Sequence, residues 1–329
     1  VLALSISIWK YIDSREKIVE WLKLSVYIST VFVILCFIFW NWRYDPYFVF
    51  RLKGVYFNPN MLGITMVLHI PASFFLFWYE RNRNNRGLSL FYLAALAAGF
   101  VALFLSGSRA SIGGLVVAGL LAVAAHYRSR LIVIMAVLAL FLGATYTVVE
   151  KMFQSDFFRG VVLRQKTLDT IGGREYIWEL AVDLFKEKPM LGYGFGVSDY
   201  VLSSEGDPDK LDPTARFGKQ AHSSFLRSIL EVGIVGTIML VLYLIYFPMK
   251  FLAFIRKIRS AELHMLTLFI MTIIVAGLLN SMFEAWLYSA GSMITFVFWW
   301  CNFLVYKIDA NMDDFVETGD TPRVTGLLG

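Results

Sequence analysis

Long charge-free apolar runs limit what this chain can become. Residues 88–106 contain no Asp, Glu, Lys or Arg, and neither do 110–127. A stretch of about 19 such residues is long enough for a helix to cross ~30 Å of hydrocarbon. Several runs of this kind follow one another along 329 residues, of which 58% are hydrophobic. A soluble domain runs nearer 45–50% and has no need of so many. The expected fold class is therefore all-α: a polytopic transmembrane helix bundle. The apolar runs predict eight spans, at roughly 22–40, 61–79, 88–106, 110–127, 130–149, 224–247, 264–283 and 286–305.

The formal net charge of +5 is small, and its distribution says more than its size. Arg81, Arg83 and Arg86 lie in 80–87, Arg128 and Arg130 in 127–130, and Lys250, Arg256, Lys257 and Arg259 in 248–263. Basic residues in short connections mark the cytoplasmic side. Strict alternation of the eight spans puts all three connections on that side. Segments 41–60, 106–110, 150–223 and 283–286 are then external. Segment 41–60 runs against the rule, because it carries Arg43, Arg51 and Lys53. No aromatic and basic platform for nucleic acid appears. Cys36 and Cys301 each sit in an apolar run, which argues against a disulfide framework or a metal site. Walker, HExxH and paired-Cys motifs are absent, so an ATPase or zinc protease is not indicated. The chain opens on Val1, and further helices upstream are expected.

These assignments divide the chain into spans at 1–149, an external segment at 150–223, spans at 224–306 and a polar, disordered cytoplasmic tail at 307–329. Within the external segment, Arg174 to Lys188 reads as an amphipathic helix. Ile177, Trp178, Ala181, Leu184 and Phe185 fall on one face. Pro189 and Gly192 stop it. Its apolar face should lie against the bundle or in the membrane interface. Ser203 to Gly218 is polar and reads as a mobile loop, which makes the acidic pair Asp207 and Asp209 a poor metal site.

Charges that break membrane rules are functional candidates, each with a plainer alternative. Arg109 follows Ser106-Gly107-Ser108 at the external start of a span. There the helix dipole repels a cation, while the free N–H groups favour phosphate. The alternative is an interfacial arginine that snorkels. Arg174 follows Gly172-Gly173 at another helix start, with a solvated surface arginine as its alternative. Two such arginines on one face suit a shared phosphate ligand, which the planar guanidinium fork grips well. His222 opens the sixth span, where a neutral imidazole can accept a proton near pH 7. Its alternative is a polar helix entry capped by Ser223 or Ser224. His126 and His264 fall at cytoplasmic ends, and His69 lies mid-span with no evident partner.

Glu231, four residues after Arg227, reads first as its ion-pair partner. Glu284 lies in a short external turn, within reach of substrate or water. Asn58-Pro59-Asn60 reads first as a helix start, with a binding role for Asn60 second.

Taken together, SGSRAS at 106–111, GGREYIW at 172–178, PMLGYGFG at 189–196 and AHSSFLRSILEVGIVG at 221–236 resemble the O-antigen ligase and polysaccharide polymerase family. The resemblance spans about residues 54–305, and its most specific piece is His222, Leu226, Glu231, Gly233 and Gly236. It implies a membrane glycosyltransferase of the type C-like architecture in the bacterial inner membrane, with its site on the external, periplasmic face. Such an enzyme moves a glycan from undecaprenyl diphosphate to a hydroxyl of an acceptor glycan or lipid, without a metal or other cofactor. The family's functional arginines and histidine match Arg109, Arg174 and His222. Asn60, Ser108, Tyr176, Glu231 and Glu284 join them as substrate-binding candidates. The sequence departs from the family in having Ser223 where Asn is common, and in having fewer spans than usual. Two other classes compete. A transporter or flippase of the same lipid would need a polar path between the two faces, and a scaffold would act through segment 150–223 alone.

Overall fold

The computed structural model describes residues 2–40, 51–127, 175–206, 222–255, 257–289 and 292–315. Among them the regular structure is helical. In chain order the helices are α1 (Leu2–Tyr11), α2 (Arg15–Ile38), α3 (Pro59–Asn82), α4 (Arg86–Ser106), α5 (Arg109–Tyr127), α6 (Glu175–Glu187), α7 (Ser198–Glu205), α8 (Ser224–Ile255), α9 (Ala261–Ser281) and α10 (Met293–Ala310). A 3₁₀ turn at Met312–Phe315 follows. Six of these helices are long and apolar enough to cross a membrane: α2, α3, α4, α5, α8 over Ser224–Phe247, and α9. The chain is a multi-pass, all-α membrane protein. Leu24, Val31 and Ile34 on α2 and Ile238, Met239 and Leu242 on α8 are exposed, as lipid-facing side chains are.

The helix starts are written locally. Ser14 caps α2 by accepting from the Lys17 amide. Asn58 caps α3 through a 2.7 Å bond from the Asn60 amide, with Pro59 in the first turn. Asn85 caps α4, and Gly107, in the left-handed region, ends it.

The chain divides into two compact units. The first comprises Val1–Val162, Phe254–Gly277 and Phe296–Gly329. Its most enclosed helices are α3 and α9, and α3 packs most extensively on α4. Small residues bring backbones close, as membrane helices without a hydrophobic driving force require. A Cβ on Gly63 would lie 2.4 Å from that of Ser108, and one on Gly114 would lie 2.9 Å from the Ala276 carbonyl oxygen. Trp21 stacks on Trp300 at 3.9 Å. One end of the unit is ionic. Arg15, almost fully buried, pairs with Glu262 at 3.1 Å, and Arg83 reaches the same carboxylate at 3.6 Å. The His126 and His264 rings lie 5.4 Å apart. These contacts bring the α3–α4 turn, the end of α5 and the start of α9 to a single end of the unit.

The second unit comprises Leu163–Ala253 and Leu278–Thr295. In it the apolar face of α6 meets α7 and the first turns of α8: Ile177, Ala181 and Leu184 pack with Val201, Leu202 and Leu230.

Six expectations need correction, and the span at 130–149 lies outside the described residues. The first span begins earlier, at Arg15, because Ser14 supplies a cap ahead of the apolar run. The last helix begins at Met293; Trp286–Ser289 forms turns held by Ser224. Trp178 leaves the buried face of α6 and lines an open groove with Val182 and Asp183, while Leu180 packs against the cluster instead. Ser203–Glu205 ends a helix, α7, rather than opening a mobile loop. The tail stays ordered through the fully buried Phe315. His69 also has partners: Ser29 Oγ at 2.7 Å and the Ala95 carbonyl at 2.9 Å, with Gly99 making room for its ring.

Candidate active site

Arg109 belongs to the first unit. Tyr176, His222, Glu231 and Glu284 belong to the second, and Arg174 lies outside the described residues.

In the first unit the α4–α5 turn is built to hold Arg109 at a helix start. Gly107 turns at φ 59°, and its amide closes on Phe104. The Ser106 hydroxyl accepts from the Ser108 amide at 3.2 Å and donates to the Leu103 carbonyl at 2.7 Å. Ser108 is buried against Gly63, with its hydroxyl 2.9 Å from that of Ser111. Arg109, one residue on, is exposed. Arg51 lies beneath the turn. Its Nε donates to the Ser106 carbonyl and its Nη2 to the Asn60 side-chain oxygen, both at 2.7 Å. The Leu52 amide reaches the Leu105 carbonyl at 2.9 Å. Arg51 and Lys53 are thus buried, which explains how basic residues sit in a segment expected outside.

In the second unit His222 stands just before α8 at φ 47°, a left-handed conformation uncommon for a residue other than glycine. Ser223 caps the helix at the Leu226 amide. The buried Ser224 hydroxyl donates to the Glu284 carbonyl at 2.8 Å and accepts from the Trp286 and Leu287 amides at 3.1 Å each. The Tyr288 hydroxyl donates to the Ser224 carbonyl at 2.9 Å. Glu284 is thereby docked beside the helix entry that carries His222.

One turn further along α8, Arg227 donates through Nε to Glu231 at 2.8 Å and through Nη1 to the Ser289 hydroxyl at 2.9 Å. The ion pair expected from spacing is present. The spacing carried no sign of Ser198, whose hydroxyl donates to the same Glu231 oxygen at 2.7 Å. Asp199 and Tyr288 complete the cluster. Burial lifts the Asp199 carboxyl above its ordinary range, and Arg227 pulls it back in part. Burial also raises the Tyr288 phenol, assisted by the Glu231 carboxylate.

Two glycine-bearing motifs of the sequence explain why the cluster holds together. Helix α8 breaks at Gly233, at φ 60° and ψ −164°. Segment 189–194 runs into the break. The Ile234 amide donates to the Pro189 carbonyl at 2.8 Å, the Tyr193 amide to Leu230 at 2.8 Å, and the Gly194 amide to Glu231 at 2.9 Å. A Cβ on Gly233 would lie 2.4 Å from the Met190 backbone, and one on Gly192 would lie 2.5 Å from the Leu230 oxygen. The PMLGYGFG and Glu-x-Gly motifs are two halves of one clasp.

Comparison with known proteins agrees with these motifs. Residues 93–241 match the family described as O-antigen ligase. A protein of Rickettsia typhi named "Putative polysaccharide ligase" is 25% identical over 250 residues, 74% of this chain and 58% of that protein. One of the same description from Rickettsia conorii is 24% identical over 217 residues, 64% of this chain and 50% of that protein. The exopolysaccharide production protein ExoQ of Rhizobium meliloti is 26% identical over 80 residues, 23% of this chain and 18% of that protein. The chain spans about half the length of the two polysaccharide-ligase relatives it matches. It is a multi-pass membrane protein that is similar, across residues 93–241, to the family described as O-antigen ligase.

Proposed function

We propose that the protein is a glycosyltransferase that moves a glycan from undecaprenyl diphosphate to a hydroxyl of an acceptor glycan or lipid. The observation that carries this reading is that Arg109, Arg174 and His222 all fall inside the stretch matching the O-antigen ligase family. In this reading residues 1–149 and 224–306 hold the spans in a bacterial inner membrane, 150–223 is external, 307–329 is cytoplasmic, and the reaction occurs on the external face without a metal.

The chemistry follows from the residue types. The acceptor oxygen attacks the anomeric carbon, and the carbon–oxygen bond to diphosphate breaks. His222 takes the hydroxyl proton. Arg109 and Arg174 stabilise the charge growing on the departing diphosphate, a contribution that is largest where water is excluded. Direct displacement inverts the anomeric centre. Asn60, Ser108, Tyr176, Glu231 and Glu284 bind or frame the substrates. Glu284 is favoured for contact by its docking at the His222 helix entry.

Purified protein in detergent micelles, where transport has no meaning, should transfer glycan from a lipid-diphosphate donor to an acceptor. His222→Ala should lower turnover by about 10²–10⁴-fold while the donor still binds. Unchanged turnover in a folded His222→Ala protein would remove the histidine from the mechanism. Absence of transfer by the parent with any acceptor would favour the transporter or the scaffold.

A further inference from the structure

We propose that Arg51 is a positioning residue for the donor diphosphate, acting through the α4–α5 turn to fix Arg109; this rests on the diphosphate role given to Arg109 above. Arg51 is 4% exposed. Two of its guanidinium nitrogens are bound to protein acceptors, the Ser106 carbonyl and the Asn60 side-chain oxygen, at 2.7 Å each. A cation so placed acts on the ligand through the groups it holds.

What it holds is the end of α4. Ser106 is the last residue of that helix, and the neighbouring Leu52 amide takes the Leu105 carbonyl. The last carbonyls of a helix have no partner within it and carry the negative end of its dipole. A guanidinium is well placed there, whereas Arg109, three residues on, opens the next helix at a positive end. The turn between them has little slack on its other side, since Ser108 is wedged against Gly63 and bonded to Ser111. The second arm of Arg51 ties the turn to Asn60 in the first turn of α3. Arg51 thereby clamps the end of α4 to the start of α3 and sets where α5, with Arg109, begins. The fork is essential, because an ammonium cannot span both acceptors in one plane.

The test compares Arg51→Lys, Arg109→Gln and the double variant of the whole protein. Turnover with a lipid-diphosphate glycan is measured beside the melting-temperature shift caused by undecaprenyl diphosphate in detergent. Arg51→Lys should fold, lower kcat by about 10²-fold, as a small misplacement of a binding group does, and shrink the lipid-induced shift. In the Arg109→Gln background the same change should alter turnover by less than about threefold, because the group it positions is gone. Full activity of Arg51→Lys would overturn the inference, as would losses that multiply in the double variant. Unchanged turnover in Arg109→Gln would instead overturn the diphosphate reading itself. If Arg51→Lys does not accumulate folded, Asn60→Ala, which removes one acceptor, is judged by the same criteria in the two backgrounds.

Discussion

Three arginines stand at helix ends, and what each touches separates their roles. Arg227, in the first turn of α8, is neutralised by Glu231 and supported by Ser289 and the Tyr288 ring. Arg51 completes the end of α4. Arg109 is exposed at the start of α5, where the dipole disfavours a cation by about 0.3–1 kcal/mol, so an anion there has an electrostatic reason to bind. Asp199 offers a pH test of the second unit. Burial raises its carboxyl, so the folded protein binds that proton more tightly than the unfolded chain. The proton's contribution is full below the unfolded value and is lost as pH rises through the folded one. Asp199→Asn should therefore gain thermal stability relative to its parent between about pH 3 and about pH 7, the range that spans carboxylate titration. A stability difference that is constant across that range would mean the Asp199 environment does not shift its proton affinity.

At the scale of elements, the clasp between segment 189–194 and the break in α8 decides whether Glu231, Ser198 and Arg227 meet. Gly233 occupies a backbone region that is essentially glycine-only, and a side chain there would collide with Met190. Gly233→Ala should cost at least about 1–3 kcal/mol and lower the melting temperature in detergent. Gly113→Ala is the control. That glycine lies within α5 with nothing near its Cβ position, so the substitution should be neutral or stabilising. Equal melting temperatures for parent and Gly233→Ala would show that the kink tolerates relaxation and that the clasp is weak.

At the scale of the whole molecule, the question is which end of the first unit faces the cytoplasm. The Arg83–Glu262 pair and the His126–His264 contact put the α3–α4 turn, the end of α5 and the start of α9 at one end, and Arg81, Arg83 and Arg86 of that turn make it the end expected in the cytoplasm. An impermeant maleimide on intact cells should label Val55→Cys and leave Asn82→Cys untouched until the membrane is opened. Both sites are exposed, and the native Cys36 and Cys301 are buried and so silent. Labelling of Asn82→Cys alone in intact cells would reverse the orientation and with it the external site.

The sequence by itself determined six of the apolar spans, the Asn58-capped start of α3, the amphipathic α6 and the Arg227–Glu231 pair. Each depends on hydropathy, capping or i,i+4 spacing within a few residues. Tertiary structure alone decided which distant groups satisfy the polar atoms buried by those helices. Ser198 lies 33 residues from Glu231, Ser106 lies 55 from Arg51, and Ser29 lies 40 from His69. No local periodicity encodes such a pairing. It is set by which helix faces approach closely enough for a buried donor to find an acceptor, because leaving one unmet in an apolar surrounding costs several kcal/mol. The turns at Trp286–Ser289 belong to the same class. Their apolar side chains read as a span, but Ser224, about 60 residues away, holds their amides in place.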